Sequence, residues 1–362
     1  VTKPPPQSAT LPWPTYGAEN GRQRAVAAPG LRPPFRRLWT FHGHALLEFP
    51  PVVGYDSVFE EAFDGRLYSI DPATGRARWS YSAHRCGWSS PALADHLLFA
   101  TFIGNRECKA TLPNGELVAL SAETGQIRWR RAIGPSESSP LVASGTLYVA
   151  DQNGYVYAFT ARTGHLRWRY DTGAPIKASP SLAYGRIYIG NYAGEMFALA
   201  AHTGRLIWRS GGYGNFYSTA SINADRVYVG SLDGRVYAFS ARSGDVLWGF
   251  ATGSYVYASP AVWHGLVLIG SYDHAFYALE GGTGSLRWSY RTGASISGAA
   301  SVVDGIVYFS SFDHRTYGLL AANGRLRAEW PDGEYSPAVA GNGRLYIVGL
   351  GRIYALAAKR GR

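Results

Sequence analysis

The chain has 362 residues, 46% of them hydrophobic and 14% aromatic, and a formal net charge of +10. No stretch approaches the ~20 apolar residues that span a bilayer as a helix. The basic residues do not cluster into a nucleic-acid-binding patch or motif, so a nucleic-acid partner is not expected. The 44 Gly and 20 Pro, with 25 Tyr and 11 Trp, suit an all-β protein with many tight turns.

Residues 1–30 open "VTKPPPQSAT" and read as a Pro-rich linker or arm. They resemble the segment left when a leader or membrane anchor has been removed, which leaves room for an anchor outside this sequence. A strand, "FRRLWTF" at 35–41, follows.

From there the chain repeats itself. Trp39, Trp79, Trp129, Trp168, Trp208, Trp248, Trp288 and Trp330 mark one column, mostly at steps of 40 residues. The step of 50 between Trp79 and Trp129 signals an insertion, "FIGNRECKATLPNGE". Arg78, Arg128, Arg167 and Arg287 each precede a column Trp and read as solvated positions on an edge strand.

One unit reads as four strands: "ASPSLAY", "GRIYIGNY", "GEMFALAA" and, after a Thr-Gly turn, "RLIWRS". Four short strands in about 40 residues make a propeller blade. A Ser-Pro column at Pro51, Pro91, Pro140, Pro180, Ala220, Pro260, Ala300 and Pro337 counts eight blades. The last unit has three strands and no Trp strand, so the strand at 35–41 is expected to complete it and close the ring. The predicted domain is an eight-bladed β-propeller of four-stranded antiparallel blades over 31–358, followed by a basic tail at 359–362.

The units at 211–250 and 251–290, as in "VGSLDGRVYAFSARSGDVLW", resemble the pyrroloquinoline-quinone (PQQ)-type β-propeller repeat. The resemblance covers nearly the whole chain. That family includes quinoprotein alcohol dehydrogenases, a lipoprotein of the outer-membrane β-barrel assembly machine, and sensor domains of bacterial membrane kinases. It implies the fold and leaves the chemistry open. In the dehydrogenases the quinone lies between a Trp floor and a ring formed by adjacent cysteines, beside a calcium ion held by Glu, Asn and Asp. This chain has no Cys-Cys pair, and the calcium set does not map onto it residue by residue.

One column varies where the rest is nearly fixed. Three residues before the Pro column stand Glu48, Trp88, Glu137, Lys177, Tyr217, Tyr257, Ser297 and Glu334. Strand direction places them at one mouth of the central channel. Fold does not require their variety, so they are the candidate ligand-binding residues; the alternative is a water-filled channel lined by incidental polar groups.

Two further features fall on that face. Asp273-His274 and Asp313-His314 replace the hairpin Asp233-Gly234 in consecutive units, as weak metal candidates or as plain turn residues. Cys86 and Cys108 fall on one blade, and a disulfide would pin the insertion and imply an oxidising compartment; two free thiols are the alternative. His42 and His44 form an H-x-H with no third ligand in sight.

No Ser-His-Asp order, HExxH or P-loop appears. The expected function is therefore a non-catalytic, extracytoplasmic binding or scaffold propeller, secreted, periplasmic or surface-anchored. It would be a monomer recognising a protein, peptide or glycan, with no cofactor. The alternative is a PQQ-dependent oxidoreductase with calcium.

Overall fold

The structure is a computed structural model, described here over residues 12–104 and 114–359. Eight sheets built from antiparallel blades follow one another along the chain, and in blades one to seven the blade strands run from hub to rim in sequence order. The third blade shows the pattern with Leu141–Ala143 innermost, then Thr146–Ala150, Tyr155–Thr160 and Leu166–Asp171. The two middle strands are buried on both faces, because each blade is covered by a neighbour on either side. The outermost strand alternates instead: Trp168 is buried between exposed Arg167 and Arg169. The expected edge-strand Arg residues are of this kind. Arg78, for example, reaches Asp71 at 2.9 Å across a partly solvated pair.

Ring closure follows the sequence expectation. Phe35–His42 pairs antiparallel with Arg352–Ala358 and becomes the outer strand of the eighth blade. The first and last parts of the chain thereby share one sheet, and the ring has no raw radial edge.

The Trp column joins each blade to the next. Trp168 Nε1 donates to the Ala201 carbonyl at 3.0 Å, and Trp208 Nε1 to that of Ala241 at 3.1 Å. The Thr-Gly turn of the next blade sits on the same indole. A Cβ on Gly204, whose φ is +71°, would lie 2.6 Å from the Trp168 ring. The two motifs are therefore one contact: the turn needs glycine for its positive φ and for its approach to the Trp face. In the seventh blade the sequence alignment is corrected. Ala328 faces Gly318 as Trp288 faces Ala278, so Ala328 holds the column and Trp330 lies two residues further on. Trp330 still packs on Tyr308, with ring centroids 5.9 Å apart, the contact that Trp208 makes with Tyr188.

The Ser of Ser-Pro has a different task. Ser90 N–H donates to Ser139 Oγ, Ser139 N–H to Ser179 Oγ, Ser179 N–H to Thr219 Oγ1 and Thr219 N–H to Ser259 Oγ, all at 2.9–3.0 Å. These links belt the hub from blade to blade. They satisfy buried N–H groups that no strand partner can reach.

Residues 13–26 run around the inside of the hub at its other mouth. On their hub side the inner strands meet the arm, which supplies acceptors and, at Ala25–Val26, a short parallel strand beside Ser301–Val303. Val53, Leu93, Leu182, Ile222, Val262 and Val302 donate their N–H groups to the carbonyls of Trp13, Pro14, Asn20, Gly21, Gln23 and Arg24 at 2.7–2.8 Å. Trp13 is fully buried, and so are the guanidinium groups of Arg22 and Arg24. Arg22 donates to the carbonyls of Pro180, Ser139, Pro140 and Tyr16.

Candidate functional site

The connections that enter the innermost strands converge on the opposite mouth of the hub. They enclose a cavity of about 60 Å³ lined by Glu48, Glu137, Lys177, Tyr217, Tyr257, Ser297 and Tyr335, with the belt hydroxyls of Ser179, Thr219 and Ser259 below. Tyr16, from the arm, forms the floor, and its hydroxyl donates to Ser259 Oγ at 3.3 Å. Arg24 and Arg22 lie against the Tyr16 ring, 4.6 and 5.5 Å from its centroid. The arm thus turns a through-channel into a blind cup.

Six residues of the variable column therefore meet around one cavity. Glu334 does not line the cavity; its charge acts on Glu48 and Tyr335, which do. Trp88 does not line the cavity; its ring packs on Phe63, with centroids 5.5 Å apart.

Glu137 is the best-bound carboxylate. Lys177 Nζ lies 3.1 Å from its Oε1, Gln152 Nε2 donates to Oε1 at 2.7 Å, and the Tyr217 hydroxyl donates to Oε2 at 3.2 Å. Burial pushes the Tyr217 hydroxyl well above its ordinary value, and the Glu137 and Glu48 charges add to the effect. Glu48 differs. Among the described residues it has no ion-pair partner, and burial, then the charges of Glu137 and Glu334, raise it to about 7.

Aromatic rings continue around the mouth. Tyr192, Tyr217, Tyr257, Tyr272, Phe312 and Tyr335 form an unbroken arc whose successive centroids lie 4.7–6.4 Å apart. Lys177 Nζ sits 5.5 Å from the Tyr192 centroid and 5.8 Å from that of Tyr217.

The Asp-His pairs are turn residues in this structure. Asp273 accepts from the Tyr277 hydroxyl at 2.6 Å and from Gly253 N–H at 2.6 Å, and Asp313 accepts likewise from Tyr317 and Gly293. His274 and His314 take the positive φ, 70° and 62°, that Gly234 takes in the fifth blade. Among the described residues no three His, Cys, Asp or Glu side chains are grouped to hold a metal, and His42 and His44 are both exposed. Cys86 is buried in a short strand, Cys86–Gly87, paired with Ile103 and Phe102. Cys108 and most of the insertion lie outside the described residues, and the expected bridge with them.

Sequence reading missed Tyr16, Tyr272 and Tyr335, which come from outside the varied column. It also missed two buried carboxyls. Unit one reads "VFEEAF" where unit four reads "IYIGNY", so Glu60 and Glu61 replace Ile189 and Gly190. Gly190 packs on Phe216, whereas Glu61 packs on Gly87, and a Cβ there would lie 2.2 Å from Oε1. The paired exchange, Gly to Glu and Phe to Gly, was visible in the alignment of units.

The residues do not fit a quinone cofactor. Sites for small organic ligands occupy ~300–1,000 Å³, and this cavity is about 60 Å³ with Tyr16 across its floor and no Trp in its lining. The arrangement suits capture of a side-chain tip by carboxylates, hydroxyls and aromatic faces.

Comparison with known proteins agrees with the fold. A family profile described as outer membrane protein assembly factor BamB matches residues 113–215 and 213–362. The outer membrane protein assembly factor BamB of Burkholderia pseudomallei (strain K96243) is 28% identical over 103 residues, spanning 28% of this chain and only 26% of that relative. The crystal structure of BamB from Moraxella catarrhalis superposes with a TM-score of 0.73 at 16% identity, covering 89% of this chain and 99% of that one. A europium-containing methanol dehydrogenase superposes with a TM-score of 0.79 at 12% identity, covering 97% and 98%. At these identities the structural likeness concerns the fold alone.

Proposed function

The chain belongs to the family described as outer membrane protein assembly factor BamB, and from that premise we propose that it is a non-catalytic, extracytoplasmic docking propeller. Its partner is a protein, and a segment of that partner enters the cup. The observation that carries this reading is the convergence of Glu48, Glu137, Lys177, Tyr217, Tyr257 and Ser297 on one cavity. Their counterparts in a strictly repeated sequence would be identical. A role in assembling proteins of the outer membrane accords with the names of the relatives.

The cup is rigid by construction. The belt of hydroxyls and the arm fix its wall and floor, so a partner meets a preorganised site and loses little affinity to ordering it. The exposed Tyr255, packed edge-on to Tyr257, extends the aromatic surface outward over the mouth.

A photo-crosslinking residue tests the reading when placed at Tyr255 and, separately, at Leu206 on the outer strand of the fourth blade. The proposal expects adducts from Tyr255 that map by mass spectrometry to one segment of one extracytoplasmic protein. Adducts confined to Leu206 would move the docking surface to the rim of the propeller and end the proposal.

A further inference from the structure

The cup is lined by two carboxylates, Glu48 and Glu137, against one ammonium, and the Glu334 charge acts on Glu48 from beside it. Lys177 takes Glu137 at 3.1 Å, and no ion pair reaches Glu48 or Glu334 among the described residues. This local negative excess sits in a chain whose formal net charge is +10. Resting on the docking reading above, we propose that the segment entering the cup presents a cationic side chain, lysine or arginine, whose charged tip lies between the Glu48 carboxylate and the tyrosines of the arc.

The molecule contains its own template for this contact. Lys177 threads its ammonium between a carboxylate and two tyrosine faces, and the arc then continues unbroken through Tyr257 and Tyr272 to Tyr335. Glu48 lines the same cavity as Tyr257 and Tyr335 of that second stretch. It acts electrostatically on Tyr217, Tyr272 and Tyr335. An ammonium or guanidinium there gains the ring quadrupoles and a half-buried carboxylate. A cavity of about 60 Å³ admits a side-chain tip and excludes a whole aromatic ligand.

Lysine outside the cup cannot exploit general attraction to this protein, because the net charge repels it. That makes the inference testable with short probes. Three blocked pentapeptides, Gly-Ser-X-Ser-Gly with X lysine, arginine or norleucine, would be titrated at pH 8 while tyrosine resonances or fluorescence are followed. Cadaverine serves as a free-amine control. That pH lies above the value of about 7 to which burial and the charges of Glu137 and Glu334 raise Glu48.

The expected result is saturable binding of the lysine and arginine peptides, at least tenfold tighter than norleucine and than cadaverine. Glu48→Gln should lower it at least tenfold, while Glu280→Gln, at the end of the third strand of the sixth blade and outside the cavity lining, leaves it unchanged. Equal binding of lysine and norleucine peptides overturns the cation and leaves the docking site intact. Cadaverine binding as tightly as the lysine peptide overturns the side-chain source. No binding by any probe also overturns the inference, whereas the docking reading itself fails if crosslinks from Tyr255 are missing.

Discussion

Lys177 Nζ lies 3.1 Å from Glu137 Oε1, although the two residues come from the connections entering different blades. The Glu137 side chain is 4% exposed and that of Lys177 29%, so the pair is shielded on one side only. Lys177→Met should therefore cost about 1–3 kcal/mol, because it strands a buried carboxylate that keeps only Gln152 and Tyr217 as donors. Glu137→Gln should cost less, and a double-mutant cycle in urea should return a favourable coupling. A coupling of zero would make the contact incidental.

The belt of hydroxyls predicts a cost for a small change. Ser179→Ala removes the acceptor of Ser139 N–H, which is buried and has no strand partner within reach. The expected loss is about 1–3 kcal/mol. Ser179→Thr should retain most of the stability, since Thr219 fills the same place in the next blade.

The joint between Trp168 and Gly204 predicts a larger loss. Gly204→Ala must hold a φ of +71° and push a methyl into the indole 2.6 Å away. The expected loss is about 2–4 kcal/mol, against a near-neutral effect for Gly282→Ala, where nothing lies within 4 Å. Chemical denaturation of the two variants side by side checks this.

In the arm, the two buried arginines should answer differently to methionine. Arg22 satisfies four carbonyls, whereas Nε and Nη2 of Arg24 lack hydrogen-bond partners among the described residues. Burial lowers both guanidinium groups from their ordinary value, Arg22 to about 9. Arg22→Met should be the more damaging by about 1–3 kcal/mol. Equal losses would contradict the hydrogen-bond assignment.

Glu60 and Glu61 set the pH dependence of blade one. Burial holds both well above the ordinary carboxylate value of 4.5, and the Glu61 charge raises Glu60 further. The unfolded chain releases these protons first, so above pH 4.5 the folded chain binds more protons than the unfolded one. Their contribution to stability is complete below that pH and falls as pH rises towards the folded values. The melting temperature of the wild type should drop between pH 5 and 9 relative to a Glu60→Gln/Glu61→Gln variant. Parallel curves would show that the two carboxyls are not protonated in the folded protein.

Much of this architecture was legible because each blade repeats the same contacts. Trp and Thr-Gly recur since every blade must meet its neighbour in the same way, and the missing Trp strand of the last unit pointed to closure by residues 35–41. The displacement of Trp330 was not legible, because one Trp two residues late satisfies a column count as well as one in register. The varied column was readable as a ring, since only positions free of packing can vary so widely. Trp88 departs from that ring and packs on Phe63 instead. Tyr16 was hidden for another reason: the arm has no repeat, so nothing in its sequence marks where it crosses the hub. Tyr272 and Tyr335 lie in connections outside the varied column, and only the closed ring brings them into the aromatic arc around the mouth.

The central claim is that the Glu48 and Tyr257 side of the cup serves binding and not the stability of the fold. Its most direct test is capture of the partner identified by the Tyr255 crosslink, comparing wild type with a Glu48→Gln/Tyr257→Ala variant and reading the melting temperature of the same samples. The account predicts that capture falls at least tenfold while melting shifts by only a few degrees. Unchanged capture, or a fall in melting large enough to unfold the variant, would contradict it.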